Sequence, residues 1–373
     1  MVFLVNFGRV AFAPLLETFR AVFGVGPAAV GLITTLVWVG TALPRIPVGV
    51  LLTRVPRRQV VGGAGLLLAV GAALAAVAPT LAVLQAAALL IGLASGAYFV
   101  AAIPLVGELY PERVGRALGL HGTAAQVAAV LAPAAIVVLV RWASWRVAFG
   151  LLGVGALAAT LAFVVLARAA DGEVVVADPD RDFLSALRHW RVLLVGVGLV
   201  AAAGFVWQGL FNFYVSYLLD KGLSVGSANA LLSVAFGAGV PAFALSGRLA
   251  DRLPLVPYLL ALSAGFVVVV FGITTTAALV PLAVLSAALG YAVHSLFPAV
   301  DAFVLGRLPD GDRASAYAVF SGSALVLEAG GSGVVGLLTE AGVPFDTTFR
   351  ALAVFPAVVC AILALLYAVG RIR

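Results

Sequence analysis

Twelve apolar runs, each long enough to cross a bilayer as a helix, take up almost the whole chain, and that spacing constrains the fold more than any motif. A helix rising 1.5 Å per residue needs about 20 apolar residues to span roughly 30 Å of hydrocarbon. Runs of that kind lie at 2–23, 27–52, 59–78, 81–106, 117–140, 145–167, 192–218, 225–247, 255–274, 278–305, 315–339 and 347–370. The runs at 27–52 and 278–305 exceed the minimum, which predicts tilted helices. Composition agrees: 64% of the 373 residues are hydrophobic and 10% charged, with a mean hydropathy of +1.18. A water-soluble domain carries about a quarter charged residues. The fold class expected is therefore an all-α membrane protein of twelve transmembrane helices. The first run is too long, and too interrupted by Arg9 and Glu17, for the apolar core of a cleaved signal peptide. It is read as the first helix, with a short cytoplasmic leader upstream left open.

The net charge of +6 is distributed as a topology signal. With a cytoplasmic N-terminus, 15 of the 22 basic residues fall on the inner side, five on the outer side, and Arg9 and Arg45 lie within spans. Such a bias orients membrane proteins with basic loops inside, so no nucleic-acid partner is needed to explain it. Cys360 is the only cysteine and the three histidines lie far apart, which offers neither a disulfide nor a metal-binding cluster. No metal or cofactor is expected.

The chain repeats itself at about half its length. Gly49-Val-Leu-Leu-Thr-Arg-Val-Pro-Arg-Arg58 follows the second span, and Gly247-Arg-Leu-Ala-Asp-Arg-Leu-Pro254 follows the eighth, 198 residues later. Gly96 and Pro104 in the fourth span return as Gly290 and Pro298 in the tenth, at an offset of 194. Between the halves runs the one long hydrophilic stretch, with five carboxylates between Asp171 and Asp182. The expected domains are a six-helix bundle over 1–167, a cytoplasmic linker over 168–191, and a second bundle over 192–373.

The Gly-x-x-x-Asp-Arg-x-x-Arg-Arg type of loop after spans 2 and 8 resembles that of the major facilitator superfamily. Trp145-Arg146-x-x-Phe149 and Pro111-Glu112-Arg113 are similar to segments of the same family. The resemblance covers essentially the whole chain and implies two pseudo-symmetric six-helix bundles that rock about a central site. It implies a gating role for Gly49, Arg54, Arg57 and Arg58 in the first copy, and for Gly247, Asp251 and Arg252 in the second. Gly49 and Gly247 would permit close helix approach, and the charged residues would form an inner latch. The first copy departs from the pattern, with Thr53 in place of Asp and Pro56 in place of Gly. The alternative is that these loops only anchor the inner face by their charge.

Polar residues inside a span are costly unless they pair or face a cavity, so they mark candidate solute contacts. Span 1 carries Asn6, Arg9 and Glu17 on one helical stripe, span 4 Ser95 and Tyr98, span 5 His121 and Gln126, and span 7 Gln208 and Asn212 near Trp207. His294, Pro298 and Asp301 share a face of span 10, and Glu328 lies in span 11. In the resembled family, helices 1, 4, 7 and 10 line the cavity. The substrate-binding set expected is Arg9, Arg45, Tyr98, Gln208, Asn212 and His294. The plainer reading of each is a hydrogen bond holding two helices together.

Arg45-Ile-Pro-Val-Gly49 resembles the nitrate/nitrite porter branch, where an arginine at this place grips the anion. Its counterpart is missing here, because Phe243 stands four residues before Gly247, and the glycine-rich segments expected in spans 5 and 11 are incomplete. Arg45 could equally snorkel to the inner interface as a gating residue. Two basic groups share the spans with Glu17, Asp301 and Glu328, which leaves one carboxylate to bind a proton. Asp301 and Glu328 are the proton-coupling candidates, Asp301 preferred with His294 as relay.

No phosphate-binding Gly-x-x-x-x-Gly-Lys-Ser/Thr loop and no catalytic cluster occur in the sequence. The function expected is secondary transport of a small solute by alternating access, with anions and proton coupling both open. The alternatives are multidrug or metabolite efflux by the same fold and, more distantly, a membrane-embedded sensor or enzyme. A plasma-membrane location with both termini cytoplasmic, and a monomeric state, complete the expectation.

Overall fold

In the computed structural model, residues 1–169 and 185–371 are described. Twelve helical spans run in the order α1 (Val2–Phe23), α2 (Pro27–Leu51), α3 (Arg57–Ala76), α4 (Leu81–Leu109), α5 (Val114–Trp142), α6 (Trp145–Ala169), α7 (Trp190–Asp220), α8 (Val225–Arg252), α9 (Leu255–Ile273), α10 (Leu279–Leu305), α11 (Asp310–Glu340) and α12 (Phe345–Ala368). No strand occurs among the described residues. The all-helical outcome follows from the solvent: in hydrocarbon, each helix satisfies its own backbone polar groups. Most of the linker expected over 168–191 lies outside the described residues. Its end forms a short 3-10 turn over Ser185–His189 that leads into α7.

Two spans are broken where the sequence suggested continuous helices. In α1 the helix stops at Val10, a 3-10 turn covers Ala13–Leu15 around Pro14, and helix resumes at Leu16. In α2 the helix ends at Ala42 and restarts at Arg45, after Pro44. Proline lacks the N–H that the preceding turn would receive, so the extra length of 27–52 goes into a break. The polar stripe of span 1 is broken with it. Glu17, beyond the break, pairs with Arg20 at 3.0 Å and not with Arg9.

Contacts divide the chain into two compact units. One comprises Met1–Val25 and Leu32–Arg181, the other Gly26–Gly31 and Asp182–Arg373. Each is held by close helix crossings at small residues. In the first unit a Cβ on Gly96 of α4 would lie 2.4 Å from the Thr41 carbonyl of α2. In the second unit a Cβ on Gly290 of α10 would lie 1.8 Å from the Ala235 carbonyl of α8. Gly290 and Ala235 each stand 194 residues after Gly96 and Thr41, so the repeat conserves the contact and not merely the residue. Without a hydrophobic driving force between helices, such backbone-to-backbone packing is what binds membrane spans.

Gly247 behaves differently from its expected role. A Cβ there would meet nothing within 4 Å among the described residues, so it makes no close crossing. Its first-half counterpart Gly49 is buried.

Candidate functional site

The first unit contains a guanidinium, that of Arg9, that makes no ion pair with a carboxylate among the described residues of that unit. Arg9 stands one turn after Asn6 on the first segment of α1. Its Nε and Nη2 both donate to Asn6 Oδ1, at 3.2 and 2.5 Å. The Asn6 amide in turn donates to the Ala125 carbonyl of α5 at 2.6 Å, which fixes the acceptor in place. The guanidinium carbon lies 4.7 Å from the Trp38 ring and 4.9 Å from the Phe99 ring. Cation–π contacts of this kind contribute about 0.5–2 kcal/mol each, more where water is excluded. Arg45 is close enough for the two positive charges to repel.

The α2–α4 crossing builds this group. Trp38 precedes Thr41 by one turn and Phe99 follows Gly96 by three residues, so the crossing at Gly96 carries both rings to Arg9. Next to Phe99, Tyr98 stacks on His121 with centroids 5.8 Å apart and planes 7° off parallel. His121 also meets Phe99 edge-on at 6.3 Å, and its Nε2 has no hydrogen-bond partner among the described residues. Arg9, Trp38, Phe99 and His121 are all only half-buried, whereas Tyr98 is buried.

Chemically the group is a pre-oriented cationic fork. One edge of the guanidinium is committed to Asn6, and the other carries Nη1 and the second Nη2 hydrogen. Two parallel N–H donors on a planar, permanently charged group match a carboxylate, nitrate or phosphate edge. Apolar and aromatic walls around such a fork keep its charge weakly hydrated.

In the second unit the expected residues separate into two roles. Asn212 is buried and spends its amide on the Gln208 carbonyl and on Ser332 Oγ of α11, both at 2.8 Å. Ser332 Oγ donates to the Gln208 carbonyl at 2.9 Å. Asn212 therefore ties α7 to α11 by its side chain, and Gln208 takes part through its backbone carbonyl. His294 goes elsewhere: its Nδ1 donates to the Gly290 carbonyl at 2.7 Å, and its ring stands among Trp207, Phe236 and Phe243. It makes no hydrogen bond to Asp301.

Of the two proton-coupling candidates, Glu328 is buried and Asp301 is half-buried. The Glu328 carboxylate packs against α7 where Gly204 has no side chain, since a Cβ there would lie 2.4 Å from Glu328 Cδ. Among the gating candidates, Arg57 pairs with Glu108 at the end of α4, and Arg58 donates to the Ala167 carbonyl of α6 at 3.2 Å. Arg54 and Arg252 are exposed, and the side chain of Asp251 lies outside the described residues. Arg9 and His294 are conspicuous in the sequence, but the rings Trp38, Phe99 and Phe236 are not, and Phe243 stands out there only as the place of an absent arginine. An aromatic residue in an apolar span gives no sign of which helix it will face.

A family description, "Major Facilitator Superfamily", matches residues 1–281. The fold is similar to that of a bacterial homologue of the human lysosomal transporter Spinster, solved in an inward-facing, unoccupied conformation. The TM-score is 0.80 at 15% identity, over 98% of this chain and 94% of that one. The inward-facing, occupied structure of such a homologue gives 0.79 at 16% identity, over 98% and 95%. A point mutant of the nucleoside transporter NupG gives 0.81 at 13% identity, over 98% of each chain. At these identities the likeness is one of fold. No curated protein sequence matches the chain.

Proposed function

The chain belongs to the Major Facilitator Superfamily, and from that premise we propose that it carries a small solute bearing an anionic group, which Arg9 grips from within the first unit. It is a multi-pass membrane transporter and not an enzyme; the anion and its coupling are our reading. The observation that carries it is the Arg9 fork, held by Asn6 and two rings with no carboxylate among the described residues of its own unit as partner. A cation at membrane depth costs about 2.5–3.5 kcal/mol on insertion scales. A static ion pair would lower that cost, and a transient anionic ligand gives a reason to forgo one. Arg45, the second basic residue within the spans of this unit, adds positive charge to the same half of the chain. The likeness to the nitrate/nitrite porter branch rests on Arg45 and Gly49 alone, and nitrate is one candidate among several.

Proton coupling through Glu328 is the second part of the reading. Its burial within a span, against the α7 backbone at Gly204, supports it as the carboxylate of a proton-coupling site. Asp301, less buried, is the weaker candidate. Arg57 with Glu108, together with Arg58, supports an inner latch within the first unit. The basic bias supports cytoplasmic termini in a plasma-membrane protein.

Ligand-dependent thermal stabilisation of the purified protein tests the anion. Acetate, benzoate, phosphate and nitrate are each compared with the uncharged benzamide. At least one anion should raise the midpoint in wild type and lose that effect in Arg9→Met, since a ligand stabilises by its affinity for the native state. Equal stabilisation of both proteins by every anion removes Arg9 from the site.

A further inference from the structure

The α8–α10 crossing in the second unit arranges a group that the anion reading leaves unused. Gly290 brings α10 against the α8 backbone at Ala235. One turn after Gly290 on α10 stands His294; one residue after Ala235 on α8 stands Phe236, and Phe243 follows two turns on. The crossing places His294 between these rings, with centroids 6.2 Å from Phe236 and 5.6 Å from Phe243. Trp207 of α7 closes a third side, 5.5 Å from His294 and 5.7 Å from Phe236. All four rings meet edge to face, at interplanar angles between 65° and 81°. Ser246 of α8 donates to the Ser295 carbonyl at 2.6 Å and Tyr258 of α9 donates to Ser246 at 3.1 Å, which pins α10 beside the cluster.

The polar face of the histidine is defined by this geometry. A carbonyl can only accept, so the bond to Gly290 requires the proton on Nδ1. In the neutral ring Nε2 is then a hydrogen-bond acceptor. No described residue donates to it. His294 is 7% exposed, Trp207 and Phe236 are 5% exposed, and Phe243 is 44% exposed, so the cluster is closed on three sides and open at Phe243. Nε2 is not sealed from the surface, so a donor on a ligand can reach it.

We propose that His294, Trp207, Phe236 and Phe243 form a binding site for a planar ring bearing a hydroxyl or N–H donor. The ring stacks or abuts the aromatic walls and its donor bonds to His294 Nε2. In the first unit the repeat-related crossing carries rings to a cation, and in the second it carries rings to a neutral acceptor. The site therefore reads an uncharged, hydrogen-bonding, aromatic feature of a solute. This rests on the chain being a solute carrier and is independent of whether Arg9 binds an anion.

Resorcinol and 1,3-dimethoxybenzene serve as probes, because they share a ring and differ in their donors. The protein contains three histidines, so imidazole ¹⁵N spectra of the full-length protein in detergent are simple to assign, using His121→Asn and His189→Asn. Resorcinol should move the His294 Nε2 resonance in the direction of hydrogen-bond acceptance, and dimethoxybenzene should leave it in place. His294→Phe, which keeps a ring but removes the acceptor, should weaken resorcinol binding about five- to ten-fold without changing dimethoxybenzene uptake. Arg9→Met should leave both results unchanged, which separates a failure here from a failure of the anion reading. An unmoved His294 resonance at saturating resorcinol, or equal shifts with both probes, makes the cluster core packing only and overturns the proposal. The wild-type spectra decide this even if His294→Phe does not fold.

Discussion

At the scale of single residues, the same amino acid type takes opposite roles according to what surrounds it. Arg57 is neutralised by Glu108 and Arg20 by Glu17, whereas Arg9 is held by an amide and two rings. Substituting Arg9 by Lys keeps the charge and loses the planar fork. Anion affinity should fall by about ten-fold in Arg9→Lys, with little change in the amount of folded protein, as measured by ligand-dependent melting. Glu328→Gln mimics the protonated acid at constant volume. If Glu328 carries the proton, this variant should exchange solute normally and lose pH-driven accumulation, while Asp301→Asn keeps both. Loss of accumulation only in Asp301→Asn would reverse that order. The sequence made Arg9, His294 and Glu328 visible because a polar group in an apolar run is conspicuous. It could not show that Asn212 binds Ser332 120 residues away, because partners on other helices leave no local trace.

Among the elements, proline has no single meaning. Pro104, Pro133, Pro241, Pro298 and Pro356 all sit inside unbroken helices, while Pro14 and Pro44 coincide with breaks. Membrane helices tolerate proline when neighbours re-satisfy the freed backbone groups, and that depends on packing the sequence does not display. The helix count was legible because length and hydropathy alone set it; the breaks were not. Glycine was legible only through the repeat. Gly96 and Gly290 recur at a fixed offset and both make tight crossings, while Gly247 also recurs and makes none. Gly290→Ala should force α8 and α10 apart. The overpacking should cost about 1–3 kcal/mol, read as a lower thermal midpoint, and the donor selectivity at His294 should go with it. A Gly247→Ala protein should melt within error of wild type.

The molecule as a whole is a membrane carrier built from a repeated six-helix plan, with a cationic group in its first unit. Orientation is the first test. In a Cys360→Ala background, Ser185→Cys should resist a membrane-impermeant thiol reagent in intact cells and react once the membrane is opened. The central claim is that transport depends on the Arg9 fork, and solute counterflow in proteoliposomes tests it most directly. Vesicles preloaded with the anion that stabilises the protein are diluted into a trace of the same anion in radiolabelled form, with wild type and Arg9→Met reconstituted at equal density. Rapid label accumulation is expected with wild type and a background signal with Arg9→Met, while an Arg371→Met control, altered at an exposed position after the last helix, stays near wild type. Counterflow by Arg9→Met at the wild-type rate and half-saturation would contradict it.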